Sequence, residues 1–132
     1  MMNSSAKPAP ITASDDNHEK GFVTRSEMKF IFDDDKKSVV LETPSGKKIT
    51  VDEDAGVIQL EDENSNVVTL NDSGITMESA SDISLTASGD VKIEGTNVEI
   101  AANANFKAEG SAGAELSSSA TAVINGSLVQ IN

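Results

Sequence analysis

Three clusters of carboxylates are the residues in this chain best suited to chemistry: Asp33-Asp34-Asp35, Asp52-Glu53-Asp54 and Glu61-Asp62-Glu63. Carboxylates bind hard cations or act in pairs as general acid and base. Their order matches neither the EF-hand loop nor the Gly-Gly-x-Gly-x-Asp calcium nonapeptide. Each cluster separates two apolar segments, at positions where Asp favours turns. We therefore expect solvated turn residues rather than a metal site.

The remaining candidates for catalysis lack the partners that they would need. His18 is the only histidine, and one imidazole supplies only one metal ligand, so it would form a site only if a trimer brought three copies together. Ser117-Ser118-Ser119 has no Gly-x-Ser-x-Gly elbow around it and no histidine to activate it. We predict no helix, and hence no glycine-rich phosphate loop leading into one. The sequence predicts no catalytic residue, no cofactor and no metal site, and therefore not an enzyme.

Composition restricts the partners. The net charge of −12 and the pI near 4.3 disfavour binding to nucleic acid and to anionic lipid head groups. The absence of cysteine excludes a disulfide scaffold. Only 3% of the residues are aromatic, which favours a thin core of Val, Ile, Leu and Ala. The sequence contains no run of 18 apolar residues, and it therefore predicts no membrane-spanning helix.

The second half of the chain, residues 73–132, repeats a short apolar signal about every eight residues. Two apolar residues at i and i+2 share one face of a strand, and Gly, Ser, Asp and Asn separate the pairs. All members except the alanines Ala108, Ala114 and Ala122 are predicted core residues. The pairs are Ile75/Met77, Ile83/Leu85, Val91/Ile93, Val98/Ile100, Phe106/Ala108, Ala114/Leu116, Ala122/Ile124 and Val129/Ile131.

So short a repeat cannot bury its apolar face alone, and neighbouring copies must stack on it. Tight hairpins would give an antiparallel meander, whereas corners would give a solenoid. A single-chain solenoid spends about 20 or more residues per repeat, which an eight-residue step does not reach. Three chains that each contribute one side of a layer reach about 24 residues. We therefore predict an obligate homotrimer whose apolar pairs meet at a shared axis, with charged residues such as Lys92 and Glu99 pointing outward.

The first half of the chain predicts two further regions. Residues 1–20 are polar and contain two of the three prolines, and we interpret them as a linker. In residues 21–72 apolar pairs recur about every ten residues with strong turns between them, which predicts a β-hairpin or meander collar.

With these segments in view, the chain resembles the C-terminal part of VgrG, the spike family of type VI secretion systems, and related spikes of contractile phage tails. The resemblance covers about residues 5–132. The segments that carry it are Asn17–Ser26, Met28–Asp34, Thr43–Gly46, Asn71–Met77 and the ending Gly126–Asn132. Two family features are missing from this sequence: the large N-terminal hub with its OB-fold neck, and the His-x-His iron-binding tip of some phage spikes.

The resemblance implies an all-β, homotrimeric triple-stranded β-helix needle, preceded by the collar, which punctures a target membrane during transient contact. Its implied partners are two further copies of the chain, hub, baseplate and inner tube proteins on the N-terminal side, and a PAAR-type tip protein. The tip protein would dock on Val129, Gln130, Ile131 and Asn132. The implied location is the cytoplasm during assembly, followed by translocation into a target cell.

Two other functions compete with this interpretation. A trimeric β-helical stalk of a phage tail fibre or adhesin would act by surface binding, although such a stalk would favour Tyr or Trp platforms that this chain lacks. A monomeric β-solenoid that binds a ligand would show outward Thr ladders, but Thr76, Thr86 and Thr96 do not keep register with the apolar pairs.

Overall fold

The computed structural model of the chain describes residues 18–132, and it is all-β in that range. Seven strands of five residues each follow one another as an antiparallel meander in the order of the sequence. The strands are β1 (Glu19–Val23), β2 (Lys29–Asp33), β3 (Ser38–Glu42), β4 (Lys48–Asp52), β5 (Val57–Glu61), β6 (Val67–Asn71) and β7 (Gly74–Glu78). Between residues 18 and 132 no helix is present that could cross a membrane.

Side-chain oxygens at the ends of the strands form the turns between them. Asp33 Oδ1 accepts hydrogen bonds from the backbone N–H of Asp35 and Lys36, at 3.0 and 3.1 Å. Thr43 Oγ1 accepts the N–H of Lys47 in the next turn, at 3.2 Å. These bonds use the ability of Asp and Thr to replace a backbone acceptor in a turn. The acidic clusters thus lie at turns, as the sequence predicted.

Two glycines meet requirements of the backbone. Gly74 closes the two-residue turn before β7 with φ of +124°, a conformation that residues with a side chain rarely adopt. At Gly21 in β1, a Cβ would collide with the carbonyl oxygen of Phe30 on β2. Glycine at this position therefore permits the close pairing of β1 with β2.

The chain divides into two compact units between Thr86 and Ala87. The first contains the meander. The second, residues 87–132, contains bends but no strand, and all of its residues are exposed. The triple-stranded β-helix thus stays a prediction, since strands that pair between copies do not arise within one chain.

The predicted domain boundaries also stay predictions, but the meander differs from them in two details. Glu19 and Lys20, which we assigned to the linker, belong to β1, because they pair with Asp33 and Phe32. Ile75 and Met77, which we assigned to the first octad, lie on β7 and pair with β6. Residues 1–17 of the predicted linker lie outside the described residues, and His18 directly precedes β1.

Candidate self-association surface

One face of the meander is almost entirely apolar. Because the register is unbroken across the seven strands, two rows of side chains run over this face. One row begins with Lys20 on β1 and the other with Phe22. We call the apolar members of both rows the apolar face: Phe32, Val39, Val51, Ile58, Leu70 and Ile75 in the first row, and Phe22, Phe30, Leu41, Ile49, Leu60, Val68 and Met77 in the second.

The opposite face is mainly polar, and along one of its rows the charges alternate from strand to strand. Its central row includes Thr50, Gln59 and Thr69. A neighbouring row places Lys29, Glu42, Lys48 and Glu61 side by side on successive strands. Lys48 Nζ lies 3.9 Å from Glu61 Oε1, at the outer limit of an ion pair. Opposite charges on adjacent strands stabilise pairing modestly and tolerate water.

Burial in the single chain is the reverse of that in a globular protein. On β4 the apolar Ile49 and Val51 are exposed, whereas Lys48, Thr50 and Asp52 on the polar face are half-buried. No apolar side chain among the described residues is buried; Asp33 and Ser38 are the buried residues in that part of the chain. A contiguous exposed apolar face on a folded domain marks an interaction surface.

Packing within the apolar face is confined to neighbouring side chains. The rings of Phe30 and Phe32 lie edge to face with centroids 5.1 Å apart and an interplanar angle of 68°. Near β7, a groove of about 450 Å³ is lined by Ile49, Leu60 and Met77 together with Ile83, which follows the strand. Ile83, the first apolar residue of the second octad, thus lines the same groove as these three residues of the apolar face.

A chain of hydrogen bonds links the turn after β5 to the residues that follow β7. Asp62 Oδ1 accepts the N–H groups of Asn64 and Asn66, and Asp62 Oδ2 accepts the Asn66 side-chain amide at 2.9 Å. Asn66 Oδ1 in turn accepts the Ser79 hydroxyl at 2.9 Å. The bonds from Asn66, with those from Asn64, lower the pKa of Asp62 to about 2. The chain therefore leaves the meander at a position held by an ionised carboxylate.

A second turn contact lies beside this network. Lys47 Nζ donates to Glu63 Oε1 at 2.7 Å, and this bond lowers the pKa of the Glu63 carboxyl. It joins the turn after β3 to the turn after β5.

All of the predicted axis residues are exposed in the single chain. Their exposed fractions range from 48% at Val129 to 87% at Ile131. The set comprises Ile75, Met77, Ile83, Leu85, Val91, Ile93, Val98, Ile100, Phe106, Leu116, Ile124, Val129 and Ile131. Ile75 and Met77 lie on β7 within the apolar face. The others follow the meander, and their assignment to an axis stays a prediction, as does the docking role of residues 129–132.

The sequence analysis missed one group of side chains. His18, Glu19 and Asp33 each offer one potential metal-ligating atom, and these atoms lie within 4.8 Å of one another. From the sequence, His18 was considered as a metal ligand by itself, because Asp33 is 15 residues away along the chain. The available sequence signal for pairing β1 with β2 was the spacing of two residues between Lys20 and Phe22 and between Phe30 and Phe32, which places each pair on one face of its strand.

An all-β meander with an unburied apolar face defines a structural domain that associates with itself, and the comparison with known families agrees. Residues 37–104, just over half of the chain, match the family model described as "Phage baseplate V C-terminal trimerisation domain". The chain belongs to this family. The match supports self-association as a homotrimer and a structural role like that of phage tail spikes. No curated protein matches the sequence.

Proposed function

We propose that three copies of this chain form a spike segment of a contractile injection machine, in which residues 73–132 wind into a triple-stranded β-helix. The observation that carries the proposal is the exposure of every octad pair from Ile83/Leu85 to Val129/Ile131, in residues 79–132, which form no strand. Such apolar residues and unpaired backbone groups require partners. Two further copies offer both.

The architecture suits a part that transmits axial force. When backbone groups pair between strands of different chains, one chain cannot yield without breaking its bonds to the others. The exposed charges, such as Lys92 and Glu99, would remain in water and limit edge-to-edge aggregation. Because the family role is structural, force would come from the contracting machine rather than from chemistry in this domain.

Within this class we propose, more specifically, that the chain is a VgrG spike of a type VI secretion system. This proposal rests on the sequence resemblance over residues 5–132. On this assignment the trimer assembles in the cytoplasm, receives hub, baseplate and inner tube proteins on its N-terminal side, and is driven through a target membrane. The alternative within the same family is that the chain is a spike of a phage tail.

Cross-linking at single engineered cysteines tests the β-helix. Val98→Cys places a thiol at the proposed axis, whereas Glu99→Cys, one residue further, places it on the outer surface. Because the natural chain has no cysteine, a short three-armed maleimide reports only these sites. We expect covalent trimers from Val98→Cys at a yield several times that from Glu99→Cys. Equal yields would contradict an axis through Val98.

The last four residues are the proposed docking surface for a PAAR-type tip protein. Val129 and Ile131 are exposed apolar side chains that a tip could cover. Ile131→Asp should weaken capture of such a protein by at least tenfold, because docking would then bury three carboxylates. Thr121→Asp, which lies outside the four docking residues, is the control and should leave capture unchanged. Retained capture by the Ile131→Asp trimer would exclude this docking surface.

A further inference from the structure

We propose that His18, Glu19 and Asp33 form a binding site for a divalent first-row transition metal ion at the start of the meander. One imidazole nitrogen and two carboxylate oxygens from these residues lie within 4.8 Å of one another. Ligands about 2.1 Å from an ion lie at most about 4.2 Å apart, so small rotations of these side chains would complete the geometry. Water would fill the remaining positions.

The pairing of β1 with β2 brings the three residues together. Glu19 lies directly opposite Asp33 in the register. The backbone N–H of Asp34 donates to the carbonyl of His18 at 2.7 Å, which extends the pairing by one residue beyond the strand. The site is therefore held by the backbone of a sheet, as a preorganised site requires.

The burial of the Asp33 carboxylate supports the metal site independently of the distances between the three side chains. It is only 8% exposed, and a buried carboxylate needs compensation for lost hydration. The hydrogen bonds that the described residues donate to its side chain both end on Oδ1, from Asp35 and Lys36. Oδ2 is thus the oxygen that can accept a ligand, while Oδ1 keeps the carboxylate in place.

The donor set decides the class of ion. An imidazole nitrogen favours Zn²⁺, Ni²⁺, Fe²⁺ and Cu²⁺ over Mg²⁺ and Ca²⁺, which prefer six or more oxygen ligands. The site lies on the polar side of the sheet, because Glu19 and Asp33 both belong to the polar face. Metal binding is thus independent of the apolar face and of the proposed function.

Calorimetric titration of the tag-free full chain with ZnCl₂ tests the site directly. We expect one Zn²⁺ per chain, with Mg²⁺ at least about tenfold weaker. His18→Gln should reduce the Zn²⁺ affinity by at least about tenfold, and so should Glu19→Gln, because each removes one of three protein ligands. Within residues 18–132, neither side chain takes part in a turn hydrogen bond of the kind that Asp33 accepts. Glu53→Gln, in the turn after β4, is the control and should bind as the natural chain does.

A second readout identifies the ligand. Because His18 is the only histidine, every imidazole resonance in an NMR spectrum reports this residue. We expect those resonances to shift on saturation with Zn²⁺, and binding to weaken on acidification, since metal ligation competes with protons. Unchanged imidazole resonances, or equal affinity of His18→Gln and the natural chain, would overturn the proposal.

Discussion

Asp62 illustrates how a single carboxylate can determine where the chain leaves the meander. It accepts bonds from Asn64 and Asn66, and Asn66 passes the connection on to Ser79 and the N–H of Ala80. An acceptor surrounded by donors favours its ionised form. The sequence predicted a turn at Glu61-Asp62-Glu63, but not the contact between Ser79 and Asn66, because that contact depends on the register of β5, β6 and β7.

This network predicts a specific acid dependence. The pKa of Asp62 falls from 3.8 to about 2 on folding, so its carboxylate stabilises the folded state fully above about pH 4. That contribution is lost as the pH falls through 3.8 toward 2. Thermal unfolding followed between pH 5 and pH 2 should therefore show a steeper loss of Tm in the natural chain than in Asp62→Asn. Parallel pH profiles would show that this carboxylate has no such role.

At the same scale, the cluster of His18, Glu19 and Asp33 shows a limit of inference from sequence. Each residue is unremarkable in its local segment, and the linker prediction ended one residue before Gly21. Lys20 interrupts the apolar alternation, and glycine carries no apolar side chain, so β1 gave a weak pattern. Pairing across the sheet creates the cluster, and local sequence does not encode it.

Among the elements, the strands of the meander were the most predictable. Apolar residues such as Ile49 and Val51 alternate with polar ones, and turn residues separate each pair from the next. The octads were recognised as a repeat by the same alternation, but their strands do not form within one chain. Their hydrogen-bond partners belong to other copies on the proposed trimeric arrangement, which a single chain does not contain.

The two faces of β4 predict opposite responses to the same substitution. Ile49 lies on the apolar face and Thr50 on the polar face, one residue away. In an isolated chain Ile49→Asp would be tolerated, because Ile49 is 43% exposed. If three apolar faces pack together, Ile49→Asp buries three carboxylates at several kcal/mol each, on the order of the cost of an unpaired buried charge.

Size-exclusion chromatography with light scattering should accordingly show trimers for Thr50→Asp and dissociated or aggregated chains for Ile49→Asp. Trimers of undiminished stability from Ile49→Asp would exclude the apolar face from the interface, whichever part of the chain holds the copies together.

For the whole molecule, the absence of a buried apolar side chain in the described residues is the main physical fact. Folding of a domain depends on apolar burial to offset chain entropy, and one copy of this chain provides little. Membership of a trimerisation family supports self-association as a homotrimer, and on our proposal the apolar area exposed by one copy becomes core in three. Folding and assembly are then a single process, and stability depends on concentration.

Native mass spectrometry at low micromolar concentration is the most direct test of this account. A chain of 13.8 kDa should give a species three times that mass, and gel electrophoresis after mild heating in SDS should retain it, because intertwined chains separate slowly. A folded monomer that keeps its β-sheet circular dichroism on dilution would contradict the trimer and, with it, the spike.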